Sequence, residues 1–171
     1  ANCLIHNLKF KTVLSRALLK TGNMKRINEY KKLFTVENEI ELKQLKTVYR
    51  NLVKEWHPDK FSADHNLAQE AEVKSRQIID GYHFLVSIAP ETRAANLEEY
   101  TTTINSSGIQ DFKHKSLLLE VSFLDGSTYE YFGVDKKVFS KFINADAQMR
   151  FAKRNIFNSY LYRKSKKAAS F

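Results

Sequence analysis

The stretch Glu55-Trp56-His57-Pro58-Asp59-Lys60 decides how this chain is read. Pro58 has no N–H and restricts the residue before it, so a helix arriving from the N-terminal side stops near His57. An imidazole and a carboxylate then flank a rigid φ at the tip of a turn. Upstream, Leu42, Leu45, Tyr49, Leu52 and Trp56 step by three and four, the apolar stripe of one long helix. Lys43, Lys46, Arg50 and Lys54 step the same way on another face. Four cations in a line that runs straight into the His-Pro-Asp turn point to a docking surface rather than to an ordinary solvated face.

The neighbouring segments fit around that helix. Asn38 and Glu41 have the spacing of a capping box, with Asn38 as N-cap. A short polar loop leads from His57 to His65, and Asn66 with Gln69 makes a second capping pair. The next helix presents Leu67, Ala71, Ile78, Tyr82 and Leu85 on one face and stops at Pro90. Two long helices joined by so short a loop lie antiparallel. A short helix precedes them (Asn28, Tyr30, Leu33, Phe34), and Pro90 starts another over Glu91 to Tyr100.

After the polar run Thr101 to Gly108 the period falls from 3.6 to 2. Leu117, Leu119, Val121 and Phe123 alternate up to Asp125-Gly126, and Tyr129 and Tyr131 alternate beyond it. A two-residue turn would set the tyrosines on the face opposite Val121. A three-residue loop with Gly126 in the left-handed position pairs Val121 with Tyr129 and Leu119 with Tyr131, giving one apolar face, and is the register expected. Asp135 to Ala145 reads as a helix with Asp135 at its N-terminus. Ile156, Ser159, Tyr160 and Tyr162 read as a closing strand.

Composition narrows the function classes. The chain is 43% apolar and 27% charged, an ordinary globular mixture, and no apolar run is long enough to span a bilayer. A single cysteine, Cys3, excludes an intrachain disulfide and fits a reducing, cytoplasmic setting. The net charge of +9 is unevenly spread. Residues 1–28 carry six Lys/Arg and no acid, 29–100 ten against thirteen acids, 101–134 two against four, and 135–171 ten against two. Both ends are basic and the middle mildly acidic, which suggests an anionic partner near an end. Residues 4–20 are amphipathic and acid-free, and three readings stay open for them. They are a packed helix, a targeting or membrane-surface helix, or a leader upstream of a start at Met24.

Residues 28–100 resemble a J-domain, the DnaJ-type co-chaperone module. Leu45, Lys46, Val48-Tyr49-Arg50 and Leu52 before Trp56-His57-Pro58-Asp59-Lys60 carry the resemblance, with Ile78, Gly81-Tyr82 and Leu85 after it. It implies a DnaK-class heat-shock ATPase as partner. His57, Pro58 and Asp59 would stimulate ATP hydrolysis, and Lys43, Lys46, Tyr49, Arg50 and Lys54 would dock. Thr35 stands where the family commonly has Gly, Ser75 where an aromatic is frequent, and Asn96-Leu97 where Tyr-Asp is usual. Residues 107–163 resemble a KTSC domain, a small module found alone and at the C-terminus of some lysyl-tRNA synthetases. Leu119, Val121, Phe123, Gly126, Tyr129-Glu130-Tyr131, Val134, Ala145, Phe151, Asn155-Ile156 and Tyr160 carry that resemblance; Ala147 and Met149 replace a common Ser and Gly.

The expected architecture is α+β in two small domains, an antiparallel helical hairpin J-domain followed by a small antiparallel sheet with a helix. Its parts are a basic amphipathic segment (1–27), the J-domain (28–100), a linker (101–107), the KTSC-like domain (108–165) and a basic tail (166–171). A metal site from His57, Asp59, Asp64 and His65 has plausible ligand types but a spacing that matches no common scheme. No nucleophile signature and no phosphate-binding Gly loop occur, so no enzyme activity, cofactor or metal is expected and the ATPase belongs to a partner chain. The C-terminal domain would bind a client protein or RNA. For RNA the candidates are Arg150, Lys153 and Arg154 as anion contacts and Tyr129, Tyr131 and Tyr160 as stacking platforms, although alternation favours packed tyrosines. Oligomeric state is not readable.

Overall fold

A computed structural model of the chain describes residues 25–37, 39–61 and 64–165. The calls on residues 1–24, on Asn38 as a cap and on the tail 166–171 lie outside the described residues. The rest forms a helical unit, Lys25–Asn96, and a second unit that begins at Leu97 and carries an antiparallel sheet, so the chain is α+β.

The helical unit opens with α1 (Lys25–Leu33). Its end is a Schellman motif, since the Thr35 N–H donates to the Lys32 carbonyl (3.1 Å) and the Val36 N–H to that of Lys31 (2.9 Å). The motif needs a left-handed residue at its turning point, and a threonine takes it, with φ at +51°. Helix α2 (Leu42–Glu55) carries the stripe read from the sequence, with Leu45 fully buried. Its N-cap is Glu41, which offers no side-chain cap. The expected box with Glu41 at N3 is therefore corrected, because the helix starts one residue after it. The Leu42 N–H bonds instead to Oε1 of Glu91 at 3.2 Å.

A 3-10 turn (Pro58–Phe61) follows, then α3 (His65–Ile88). Asp64 caps α3, accepting from the Asn66 and Leu67 N–H groups at 2.9 and 3.2 Å, so Asn66 lies inside the helix rather than capping it. Tyr49 stacks on Tyr82 (4.2 Å between centroids) and Lys74 sits over the Trp56 ring at 5.5 Å. Higher numbers on α2 thus meet lower numbers on α3, and the pair is antiparallel. At Gly81 a Cβ would stand 2.9 Å from Tyr30 Cδ1 and 3.1 Å from Phe34 Cε2, so the bare backbone lets α1 approach. Helix α4 (Pro90–Ala95) closes the unit.

The second unit starts with α5 (Leu97–Ser106). This corrects two expectations, since the helix foreseen over 91–100 is broken at Asn96, and the linker foreseen over 101–107 is helical as far as Ser106. Tyr100, Thr103 and Ile104 are buried at helical spacing, with Tyr100 stacked on Tyr162 at 3.8 Å. That packing overrides a composition that reads as a loop. The sheet runs β1 (Ile109–Lys115), β2 (Leu118–Phe123), β3 (Thr128–Phe132) and β4 (Leu161–Lys164) in sequence order. Val121 pairs with Tyr129 and Leu119 with Tyr131, the register expected, with Gly126 at φ +82°. Strand β1 was not foreseen. The closing strand is shorter than expected, because Ile156 belongs to a π turn (Lys153–Phe157). Helices α6 (Lys136–Ile143) and α7 (Gln148–Ala152) lie between β3 and β4 in sequence, and Asp135 caps α6 through the Val138 N–H at 2.7 Å. No described helix is long and apolar enough to cross a membrane.

Candidate functional site: the His-Pro-Asp turn and its cationic row

Helix α2 ends because Pro58 cannot continue it. Trp56, its C-cap, still donates to the Leu52 carbonyl at 2.9 Å, and its ring stacks on Phe61 at 6.1 Å under the Lys74 ammonium. The tryptophan thereby pins the base of the turn against α3. The Lys60 N–H donates to the His57 carbonyl at 3.1 Å, closing the turn above it.

His57 and Asp59 face each other across Pro58. The Asp59 N–H donates to His57 Nδ1 at 3.4 Å, and Asp59 Oδ2 lies 3.5 Å from the same nitrogen. A neutral ring with its proton on Nε2 accepts the backbone bond; a proton on Nδ1 exchanges it for a pairing with the carboxylate. Both side chains stay open to solvent, His57 half exposed and Asp59 at 88%. The pair is held within one turn and open to contact from outside.

An open recess of about 390 Å³ runs from this turn along α2, lined by Tyr49, Arg50, Val53, Lys54, His57 and Lys60. Its surface is almost wholly apolar, with Arg50, Lys54 and Lys60 among its lining residues. Lys43 and Lys46 continue the exposed row toward the helix start. Among the described residues no carboxylate lies within ion-pairing distance of Lys43, Lys46, Arg50, Lys54 or Lys60. The row is thus available to external anions. The structure brings Tyr49, Arg50, Lys54 and His57 to one recess, and adds Val53 and Lys60, which the sequence reading missed. Three residues make one turn of a 3-10 helix, so Lys60 returns to the side of His57. That spacing was the available signal.

The candidates in the second unit separate. Tyr129 and Tyr131 are 2% and 0% exposed, which corrects their assignment as stacking platforms, since neither ring has a face free for a base. Tyr131 stacks on Phe157 at 5.2 Å, and its Oη lies 3.3 Å from that of Tyr100, which donates to the Phe157 carbonyl at 2.7 Å. Burial, with Glu99 nearby, pushes Tyr129 up to about 12, and burial raises Tyr131 well above the ordinary tyrosine value. Tyr160 is half-buried and raised by burial and by Asp135. Arg150 and Arg154 are exposed, whereas Lys153 reaches the Asn105 carbonyl at 3.5 Å.

This sheet-and-helix arrangement matches a known family over residues 105–160. Those residues are a KTSC domain. The domain thus begins at the end of α5 and runs to the approach of β4, and it holds the buried tyrosines but none of the cationic row. The chain is also similar to the tetratricopeptide repeat and J domain-containing co-chaperone DNJ1 of Fusarium oxysporum f. sp. lycopersici. Identity is 34% over 86 residues, 50% of this chain and 16% of that protein.

Proposed function

We propose that the chain is a J-type co-chaperone that docks on a DnaK-class heat-shock ATPase and stimulates its ATP hydrolysis. The observation that carries this reading is the exposed His57–Asp59 turn, continuous with a recess walled by Arg50, Lys54 and Lys60. The similarity to a J domain-containing co-chaperone supports it. The cations attract an acidic partner surface and speed its association, in a manner sensitive to salt. Tyr49 and Val53 give that partner an apolar seat. His57 and Asp59 act by contact, and the hydrolytic chemistry is the partner's. In this reading the protein is not an enzyme, works in the cytoplasm, and uses its KTSC domain to hold a client or a targeting partner.

Single-turnover ATP hydrolysis by a DnaK-class chaperone tests the proposal. The wild-type chain accelerates it and His57→Gln does not, while both give the same circular dichroism spectrum. Equal stimulation by the variant overturns the co-chaperone reading. The rival is RNA binding through Arg150 and Arg154, and it is discriminated by charge reversal. Reversal at Lys46 and Arg50 would then leave the protein's activity untouched, while reversal at Arg150 and Arg154 abolishes RNA retention at low salt.

A further inference from the structure

The turn that carries His57 and Asp59 is closed at its base by the two rings that flank it. Trp56 precedes His57 and Phe61 follows Lys60, and the rings stack at 6.1 Å with 27° between their planes. Within the turn the Lys60 N–H donates to the His57 carbonyl at 3.1 Å. Both contacts join residues close in sequence, and neither reaches α3. A link to α3 comes from Lys74, whose ammonium lies over the Trp56 ring at 5.5 Å, within cation–π range.

Lys74 has an ordinary alternative on its own helix and does not take it. Glu70 stands four residues before it, the order that favours an ion pair along a helix. The same helix forms such a pair between Glu72 and Arg76. Yet no carboxylate among the described residues lies within ion-pairing distance of Lys74, and its side chain is half-buried. A partly desolvated ammonium on an indole face is the setting in which this attraction strengthens. Lys74 does not line the recess, so its effect falls on the turn and not on a docked partner. We propose that Lys74 is a positioning residue for the co-chaperone activity. Acting through Trp56, it holds the His57–Asp59 turn in its docking-competent arrangement. This role rests on the function proposed above.

Three substitutions in the full chain test it. Lys74→Met keeps the stem and removes the charge, Lys74→Arg keeps the charge, and Trp56→Leu removes the ring. Trp56 is the chain's only tryptophan and reports on the protein alone. Lys74→Met should raise acrylamide quenching of its fluorescence and speed amide exchange at Lys60, with the circular dichroism spectrum unchanged; Lys74→Arg should do neither. In single-turnover ATP hydrolysis by a DnaK-class chaperone, Lys74→Met should raise the concentration of chain needed for half-maximal stimulation about two- to fivefold. The maximal rate should hold, because fewer molecules carry the competent turn but each acts as before. With Trp56→Leu already present, Lys74→Met should add nothing. A further loss in that background would show the ammonium acting by its own charge, and it overturns the proposal. Unchanged quenching and exchange in Lys74→Met overturn it equally, with Trp56 left in place. Absence of stimulation by the wild-type chain is a separate failure, which removes the co-chaperone reading and this role with it even where the quenching responds.

Discussion

Replacing Thr35 by glycine should stabilise the helical unit. Thr35 is the left-handed residue of the Schellman motif that ends α1, at φ +51°, and it is β-branched. A left-handed conformation costs an L-residue about 1–2 kcal/mol, which glycine avoids. Glycine gives back about 0.4–1 kcal/mol through the larger entropy of its unfolded chain. The net gain expected is about 0.5–1 kcal/mol. Trp56, the chain's only tryptophan, lies in this unit and reports its unfolding selectively. With a urea slope of about 1–3 kcal/mol per molar, the midpoint should rise by about 0.2–1 M at unchanged slope. Thr35→Ala, which removes the branch but keeps a Cβ, should gain less. An unchanged or lowered midpoint for Thr35→Gly would refute the reasoning, by showing that the hydroxyl or methyl contributes more than the conformation costs.

Four other outcomes follow from the same structure. Gly81→Ala should cost about 1–3 kcal/mol by urea unfolding, because its Cβ meets Tyr30 at 2.9 Å and Phe34 at 3.1 Å. Glu91→Ala should raise amide exchange in the first turn of α2 and cost about 0.5–1 kcal/mol, whereas Glu91→Gln retains the acceptor for Leu42 and loses less. Tyr129 is pushed up to about 12 when folded, so the unfolded chain ionises first. Stability is therefore intact below about pH 10 and declines as pH rises toward 12, a trend read from tyrosinate absorbance and thermal midpoints together. Lys46→Glu with Arg50→Glu should slow association with the chaperone on the order of tenfold at low salt, with the deficit shrinking at high salt; a salt-independent deficit would mean lost shape rather than lost charge.

What could be read from the residues depended on whether local pattern or distant packing decided the conformation. The β2–β3 register was legible, since alternation fixes which residues share a face and Gly126 selects the loop length. Strand β1 was not, because Gln110, Asp111, Lys113 and Lys115 face outward and only its pairing with β2 makes it a strand. Helix α5 hid behind threonines and serines, its two large anchors being Tyr100 and Ile104. Both Asp64 and Asn66 can cap a helix, and the choice between them turns on two residues of phase. The cationic row and the His-Pro-Asp turn were visible because each is local in sequence. Lys60 and Val53 became visible only once the 3-10 turn and the recess were in view.

Helix α2 is built against its own electrostatics. Its first turn holds no acid, and Lys43 and Lys46 stand where positive charge opposes the helix dipole. Glu41, its N-cap, supplies no side-chain bond, and the carboxylate that meets the free N–H of Leu42 comes from Glu91 on α4. Nor do the cations of the row find partners along the helix. A helix tuned for its own stability would carry glutamates at its start and four residues before each lysine. Local rules are broken this way where a surface is kept for something outside the molecule. The unit as a whole carries twelve Lys/Arg against eleven Asp/Glu and is close to neutral, so the positive row is not a spillover of overall charge. It is a local arrangement that leads to the recess and the His57–Asp59 turn, and the N–H of Leu42 that it leaves without a local cap is met by Glu91 of the neighbouring helix.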